Sequence, residues 1–484
     1  MNSKNIRSRT ISFSKFYRCH DKKLSFDSAQ DDAILNTRNN VTLSGVEVLS
    51  ALNSLYIKQL LIPLFIVLML TGISTAEDKN DVLEIRWVID EALRGNPGLQ
   101  SSKLRWNAST ERIVQERALD DPVIGFTYFG EQVQTRVGEK QAGVAASQKI
   151  PFYGKLRLKG EVARNEANVS GERYRTLERV IVAKAKSAFY ELYWAHKSIS
   201  INEENRGLLK RFVKIAEVKY ATGKATQQDV LKAQVELSKI INELISLEQL
   251  KETAVARINT LLNRHPDSPI GTPEEVDIAE LTVSLEDLYE KAKEVSPDLS
   301  IFKYKIERDK AAYKLAKKQY YPDFTFGFIY TFINDLPSDV MSSPSGEGRD
   351  SYRGTLSFNV PIFQKRKYDA GVREANARLK SSKMAYKNRE NMTLFEVKDF
   401  HFKVQTAERL VKLYRDSIIP QAKQSLKAAE SGYQAGQVDF LNLIDSQRVL
   451  LDFNLAFYRA VAEFGTNIAG LERVVGVELS KKMQ

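Results

Sequence analysis

Two rhythms organise the apolar positions of this chain. The first has a period of two. In the run from Phe324 to Phe332, five aromatic residues (Phe324, Phe326, Phe328, Tyr330 and Phe332) fall on every second position. In a strand that spacing puts all five on one face, with Thr325, Gly327 and Thr331 on the other. Tyr352, Gly354, Leu356, Phe358 and Val360 alternate in the same way with Arg353, Thr355, Ser357 and Asn359. Ile124, Phe126 and Tyr128, then Ala142, Val144, Ala146 and Ile150, mark a second pair. Strands are expected over 122–130, 141–150, 323–332 and 351–360.

The second rhythm is a heptad. Val230, Leu237, Leu244 and Ile258 occupy one seam position and Ala233, Ile240, Leu247, Ala254 and Leu261 the other, with Lys251 as the break. Leu443, Leu450, Phe457, Phe464 and Leu471, with Phe453, Ala460 and Val474, repeat the seam 213 residues later; Ser446 and Asn467 are its polar members. Sustained heptads predict helices packed as coiled coils. Long helices are expected over 155–219, 226–262, 365–432 and 440–475; the first would span roughly 100 Å if continuous. Gly207 and Pro420 hold matching places, so both copies are expected to bend there.

The two rhythms recur because the chain is written twice. Asn96-Pro97-Gly98-Leu99 returns as Ser296-Pro297-Asp298-Leu299, Pro151 as Pro361, and Tyr220-Ala-Thr-Gly223 as Tyr433-Gln-Ala-Gly436. Repeats are expected over 77–263 and 285–476, joined by a proline-rich linker over 264–284. Upstream, the apolar run Leu60–Thr71 is too short to cross a bilayer. Lys58 before it and Ser74-Thr-Ala76 after it mark a signal peptide over 55–76, cut after Ala76. Residues 1–54 read as an extension from a mis-chosen start codon.

A face of aromatics in an exported protein is either the core of a β-sandwich or a band that meets lipid. Only four strands of about ten residues are expected, and that is the length of a membrane-spanning strand. An open sheet edge in lipid leaves backbone groups unpaired at several kcal/mol each. Four strands are too few to close alone, since the smallest filled barrels have about eight. Closure therefore calls for a homo-oligomer, and three copies would supply twelve strands. The fold class expected is mainly α with a transmembrane β-barrel portion, built from duplicated β-hairpins and long coiled-coil helices in a trimeric duct.

Composition removes most enzyme classes. The single cysteine, Cys19, rules out a disulfide framework. Four histidines (His20, His196, His265 and His401) have no metal-ligand spacing, and no phosphate-binding glycine loop is present. No catalytic residue, metal site or cofactor is expected. The net charge of +11 falls once the signal region is removed, so nucleic acid is not expected as a partner.

The duplicated turn and helix, Tyr220-Ala-Thr-Gly223 through Asp229 to Gln234 and Tyr433-Gln-Ala-Gly436 through Asn442 and Asp445 to Gln447, resemble those of the TolC family of outer-membrane efflux ducts. Pro151 and Pro361 look like the family's strand-to-helix junctions. The resemblance covers roughly residues 80–478. It implies a homotrimer with a barrel in the outer membrane, facing lipid, and a helical tunnel through the periplasm. An equatorial region would come from residues near 77–95, 264–295 and the C-terminal end. The implied partners are a periplasmic adaptor and an inner-membrane pump, whose docking opens a gate at the two turns, Gly223 and Gly436. Asp229, Asn442 and Asp445 match the pore-narrowing positions. Tyr433 matches a tyrosine that bonds to the first-copy acid, here Asp229. Val438 stands where the best-studied form has an arginine latch, so the latch is expected to be either missing or replaced, with Lys224 the candidate replacement.

Three functions compete at this stage. A passive export duct accounts for strands, heptads and signal peptide together. A periplasmic coiled-coil adaptor would share the heptads but not the aromatic strands. A secreted enzyme finds no acid–base constellation. The segment Gln148-Lys-Ile-Pro-Phe-Tyr-Gly-Lys155 resembles the heavy-metal branch of the family, yet the chain has no His/Met ladder for soft ions. Metal and drug export therefore both stay open.

Overall fold

The computed structural model describes residues 82–135, 138–278, 281–334 and 349–479. The expected extension over 1–54 and signal peptide over 55–76 lie outside the described residues. The first half runs β1 (Val82–Leu83), α1 (Ile85–Gly95), α2 (Pro97–Arg117), β2 (Val123–Thr135), β3 (Gly138–Ile150), α3 (Lys155–Ala221) and α4 (Gln227–Leu261). The linker holds β4 (Thr272–Pro273), which pairs in parallel with β1. The second half repeats the order as α5 (Leu285–Val295), α6 (Pro297–Lys318), β5 (Phe324–Asn334), β6 (Ser351–Phe358), α7 (Lys365–Leu413), α8 (Ile419–Gln434) and α9 (Phe440–Val475).

Local chemistry sets these boundaries. Pro97 and Pro297 each open a helix at its first turn, where the missing N–H costs nothing. The Asn96 side chain accepts from the Leu99 amide at 3.2 Å and caps α2. β2 and β3 extend past the expected 122–130 and 141–150, because backbone pairing continues through polar residues beyond a register shift at Tyr128/Val133. β6 stops at Phe358, short of the expected 360. There Asn359 donates its amide to the Asp323 carbonyl and accepts the Asp323 amide on its side chain at 2.5 Å. Pro361 then lacks a donor to prolong the ladder.

The two long helices differ. α3 is a single helix of 67 residues, unbroken at Gly207. The helix expected over 365–432 is instead three segments: α7, a π-helical turn at Tyr414–Ile418, and α8. Pro420 cannot donate a hydrogen bond, and its ring crowds the carbonyl four residues back. The wider turn accommodates this, with the Ile419 amide bonding the Tyr414 carbonyl. Gly207 keeps its N–H, so the matched interruption is present in one copy only.

The core lies along the helix seams. Ala233, Ile240, Leu247 and Ala254 are buried on α4, and Leu443, Ala460, Phe464, Leu471 and Val474 on α9. α9 packs closely on its neighbours: a Cβ at Gly465 would lie 2.1 Å from the Tyr190 ring. A buried ion pair joins the halves, with Lys186 Nζ 2.5 Å from Glu472 Oε2. Glu472 also accepts the Leu479 amide at 2.9 Å. Around this level, Leu83, Ile258 and Leu262 form one cluster with Val88 and Ala92, and Leu288, Leu471 and Val474 another.

Candidate functional site

The four long strands form one antiparallel sheet in the order β2-β3-β5-β6. Its register decides its chemistry. Phe126 pairs with Val144, Val144 with Tyr330, and Tyr330 with Tyr352. Ile150 pairs with Phe324, and Phe324 with Phe358. Directly opposed residues share a face, so all five aromatics of β5 join Ile124, Phe126, Tyr128, Tyr352, Leu356 and Phe358 on one surface. Phe324 lies near Phe358 and Phe328 stacks with Tyr352, each pair at 6.4 Å between ring centres. The opposite face carries Gly125, Thr127, Gly143, Ala145, Ser147, Thr325, Gly327, Thr331, Arg353, Thr355 and Ser357. One face is apolar and bulky; the other, apart from Ile329 and Arg353, is small and hydroxyl-rich. β2 and β6 are the two outer strands, each paired on one side.

The sheet is fastened to the helices by one carboxylate. Asp323 accepts from Lys155 Nζ at 2.6 Å and from the Phe152 amide at 3.0 Å, with Lys149 Nζ at 3.6 Å. Burial alone would push its carboxyl up, but these bonds and cations hold it below the usual carboxylate range.

The other end carries the two turns. Gly223 and Gly436 have φ of 69° and 78°, the left-handed region that glycine enters without strain. Each closes the same motif, the Lys224 amide bonding the Lys219 carbonyl and the Gln437 amide the Gly432 carbonyl. The following helices are capped differently. Thr226 and Asp229 form a reciprocal capping box on α4, whereas Asp439 alone caps α9, accepting the Asn442 amide at 2.9 Å. Asn442 and Asp445 are exposed in the first turns of α9.

The expected Tyr433–Asp229 hydrogen bond is absent. The Tyr433 hydroxyl is buried without a hydrogen-bond partner, and the Asp229 carboxylate is engaged by the Thr226 amide at 3.1 Å. Burial, then the nearby Asp229 charge, raises the Tyr433 pKa. The clasp between the turns is Lys219 instead of the expected Lys224. Its Nζ donates to the Tyr433 carbonyl, lies 3.3 Å from the Gln434 carbonyl, and sits 4.4 Å over the Tyr433 ring. A cation there meets the negative end of α8.

Two further cross-links escaped sequence reasoning. Gln447 donates to Asn205 at 2.6 Å in a buried contact; Gln234, its repeat partner, is exposed. Arg448 bonds Glu236 at 2.9 Å. Burial would raise the Glu236 carboxyl, but Lys239 and Arg448 outweigh it and hold it low. The only signal for these contacts was the Gln234/Gln447 offset.

A four-stranded sheet with an aromatic face, carried on coiled-coil helices, has a known class. Residues 88–264 and 288–477 match the family model described as outer membrane efflux protein. The chain belongs to that family: it is an outer-membrane efflux channel with a periplasmic helical extension. It is 19% identical over 424 residues to outer membrane protein TolC of Vibrio cholerae, covering 86% of this chain and 95% of that protein. It is also 19% identical to the cobalt-zinc-cadmium resistance protein CzcC of Cupriavidus metallidurans, covering 81% of this chain and 90% of that protein. Among solved structures, the outer-membrane channel OprN shares the fold, with a TM-score of 0.68, 20% identity, and coverage of 82% of this chain and 90% of that one. No helix among the described residues is long and apolar enough to cross a membrane.

Proposed function

We propose that three copies of this chain close a twelve-stranded barrel and a helical tunnel, and that this trimer is the passive duct of a tripartite export system, with no catalysis of its own. The observation that carries this reading is a sheet with an aromatic face and two unpaired edges, which cannot rest in lipid alone. The helices repeat the pattern. α4 packs on α3, α3 on α9, and α9 on α7 and α8. Leu231, Val235 and Ile245 on α4, and Met384, Phe395 and Phe402 on α7, are left exposed. Edge joins edge in both layers when identical copies meet side by side.

The two repeats over 77–263 and 285–476 then give a pseudo-sixfold wall. Its aromatic surface meets outer-membrane lipid, and its tip turns engage an adaptor and an inner-membrane pump. At the tip, Asp445 faces the axis with Asn442 beside it, and three such carboxylates around a narrow opening favour cations. Asp229 and Tyr433 brace the turns there. Native mass spectrometry of the detergent-purified mature protein should give a trimer; a water-soluble monomer would overturn the reading. Asp445→Ala should change cation block of single channels in planar bilayers, and unchanged selectivity would remove Asp445 from the pore. Kinship with both TolC and a metal-resistance protein supports export of metal cations or of drugs. Deleting the gene and testing sensitivity to copper, zinc, dyes and detergents separates the two.

A further inference from the structure

Where the sheet meets the helices, the second half of the chain carries six cations with no ion-pair partner among the described residues. Lys314, Lys317 and Lys318 end α6, and Lys365, Arg366 and Lys367 begin α7. The fold brings the two helix ends that carry them together: the Tyr320 hydroxyl donates to Asp369, and the Tyr320 and Tyr368 rings lie 5.7 Å apart. Two carboxylates at this junction are already occupied, Asp369 by Tyr320 and Asp323 by Lys155. The α7 triplet does not serve its own helix. Cations in a first turn oppose the helix dipole, and no acidic residue stands in that turn.

The patch adjoins exposed apolar groups just beyond the ends of the strands. Ile362 and Phe363 are 75% and 91% exposed, and Tyr153 89%. Lys318 lies 5.3 Å over Phe152 and 5.0 Å over Tyr321, themselves stacked at 4.6 Å. An apolar ring followed by cations is the profile of a membrane interface. The repeat does not demand it: Asp120 and Asp121 stand where the second half has Tyr320 and Tyr321.

We propose that this collar binds the anionic headgroups of phospholipids in the periplasmic leaflet of the outer membrane. Five of the six cations are exposed and Lys318 is half-buried; such cations beside an anionic bilayer surface are attracted to it within about one Debye length, ~10 Å at 0.1 M salt. The proposal depends on the sheet lying in the membrane and not on the number of copies in the ring.

The test uses the full mature protein in nanodiscs of phosphatidylcholine mixed with phosphatidylglycerol. The lipid retained on the protein after extraction is identified by mass spectrometry. Phosphatidylglycerol should be enriched about three- to tenfold over the bulk mixture at low salt, and the enrichment should fall as salt rises. K314Q/K317Q/K318Q and K365Q/R366Q/K367Q should each lose part of it, and the combined variant all of it. The two half variants and the salt series keep the test decisive if the combined variant does not fold. An equal ratio in shell and bulk, or enrichment unchanged in both half variants, would overturn the proposal. So would displacement by inorganic phosphate at constant ionic strength, which would mark a site for free anions. Trimer mass and channel conductance, measured alongside, report separately on the duct.

Discussion

At the strand end the two halves of the chain merge; at the tip they part company. The register Val144–Tyr330–Tyr352 runs one apolar surface across both hairpins without a seam. Two hundred residues of separation leave no mark there, because the same period-two alternation runs in every strand. At the tip the turns share a backbone but not their side chains. One following helix has a reciprocal capping box and the other a lone aspartate. One lysine reaches from the first turn to the second, with no counterpart in return. A shared register keeps copies alike, and a contact between copies makes them differ.

The largest effect should come from breaking the sheet's two-sidedness. Phe328→Lys should cost about 2–4 kcal/mol near mid-bilayer, while Thr331→Lys on the opposite face should stay within about 0.5 kcal/mol. Refolding titrations into lipid vesicles read both; equal losses would mean that both faces meet lipid.

The tip caps come next. Asp439→Ala should cost about 1 kcal/mol and speed hydrogen exchange at the Asn442 amide. Thr226→Ala should cost less, since Asp229 still accepts the residue-226 amide.

Smaller still, Lys219→Gln should loosen the turns by about 0.3–1 kcal/mol. Tyr433→Phe should be neutral, because its hydroxyl makes no bond to lose. A Tyr433→Phe effect as large as that of Lys219→Gln would restore the hydroxyl to the clasp.

The smallest effect is a pH dependence. The Glu236 carboxyl is held below its ordinary value of 4.5. Its bond to Arg448 therefore stabilises fully above that value and is lost as pH falls through the depressed one. Glu236→Gln should flatten exchange between α4 and α9 across that acid range.

The sheet was legible because period-two alternation is local: five aromatics within nine residues name a face unaided. The heptad seams were equally plain, and Ala233, Ile240 and Leu247 are buried on α4 as the periodicity asks. The tip was not legible, because its contacts join residues more than two hundred positions apart. Lys219 and Lys224 are both lysines near one turn, and only the packing of α3 with α8 and α9 decides which reaches Tyr433. The π turn fell between the two cases. Pro420 announced an irregularity, but whether the chain kinks, breaks or widens depends on its neighbours. Gly207 carried the same positional signal and left its helix whole.

That widened turn sits in the longer of two parallel rods. α7, the turn and α8 take 49, 5 and 16 residues between strand and tip, against 67 for α3. Both rods join the same sheet to the same pair of turns, so three extra residues must be absorbed along the way. The π turn, wider and with a smaller rise per residue, takes up part of that excess. Two rods of unequal residue count can thus span one distance, and the irregular turn is where the count is reconciled.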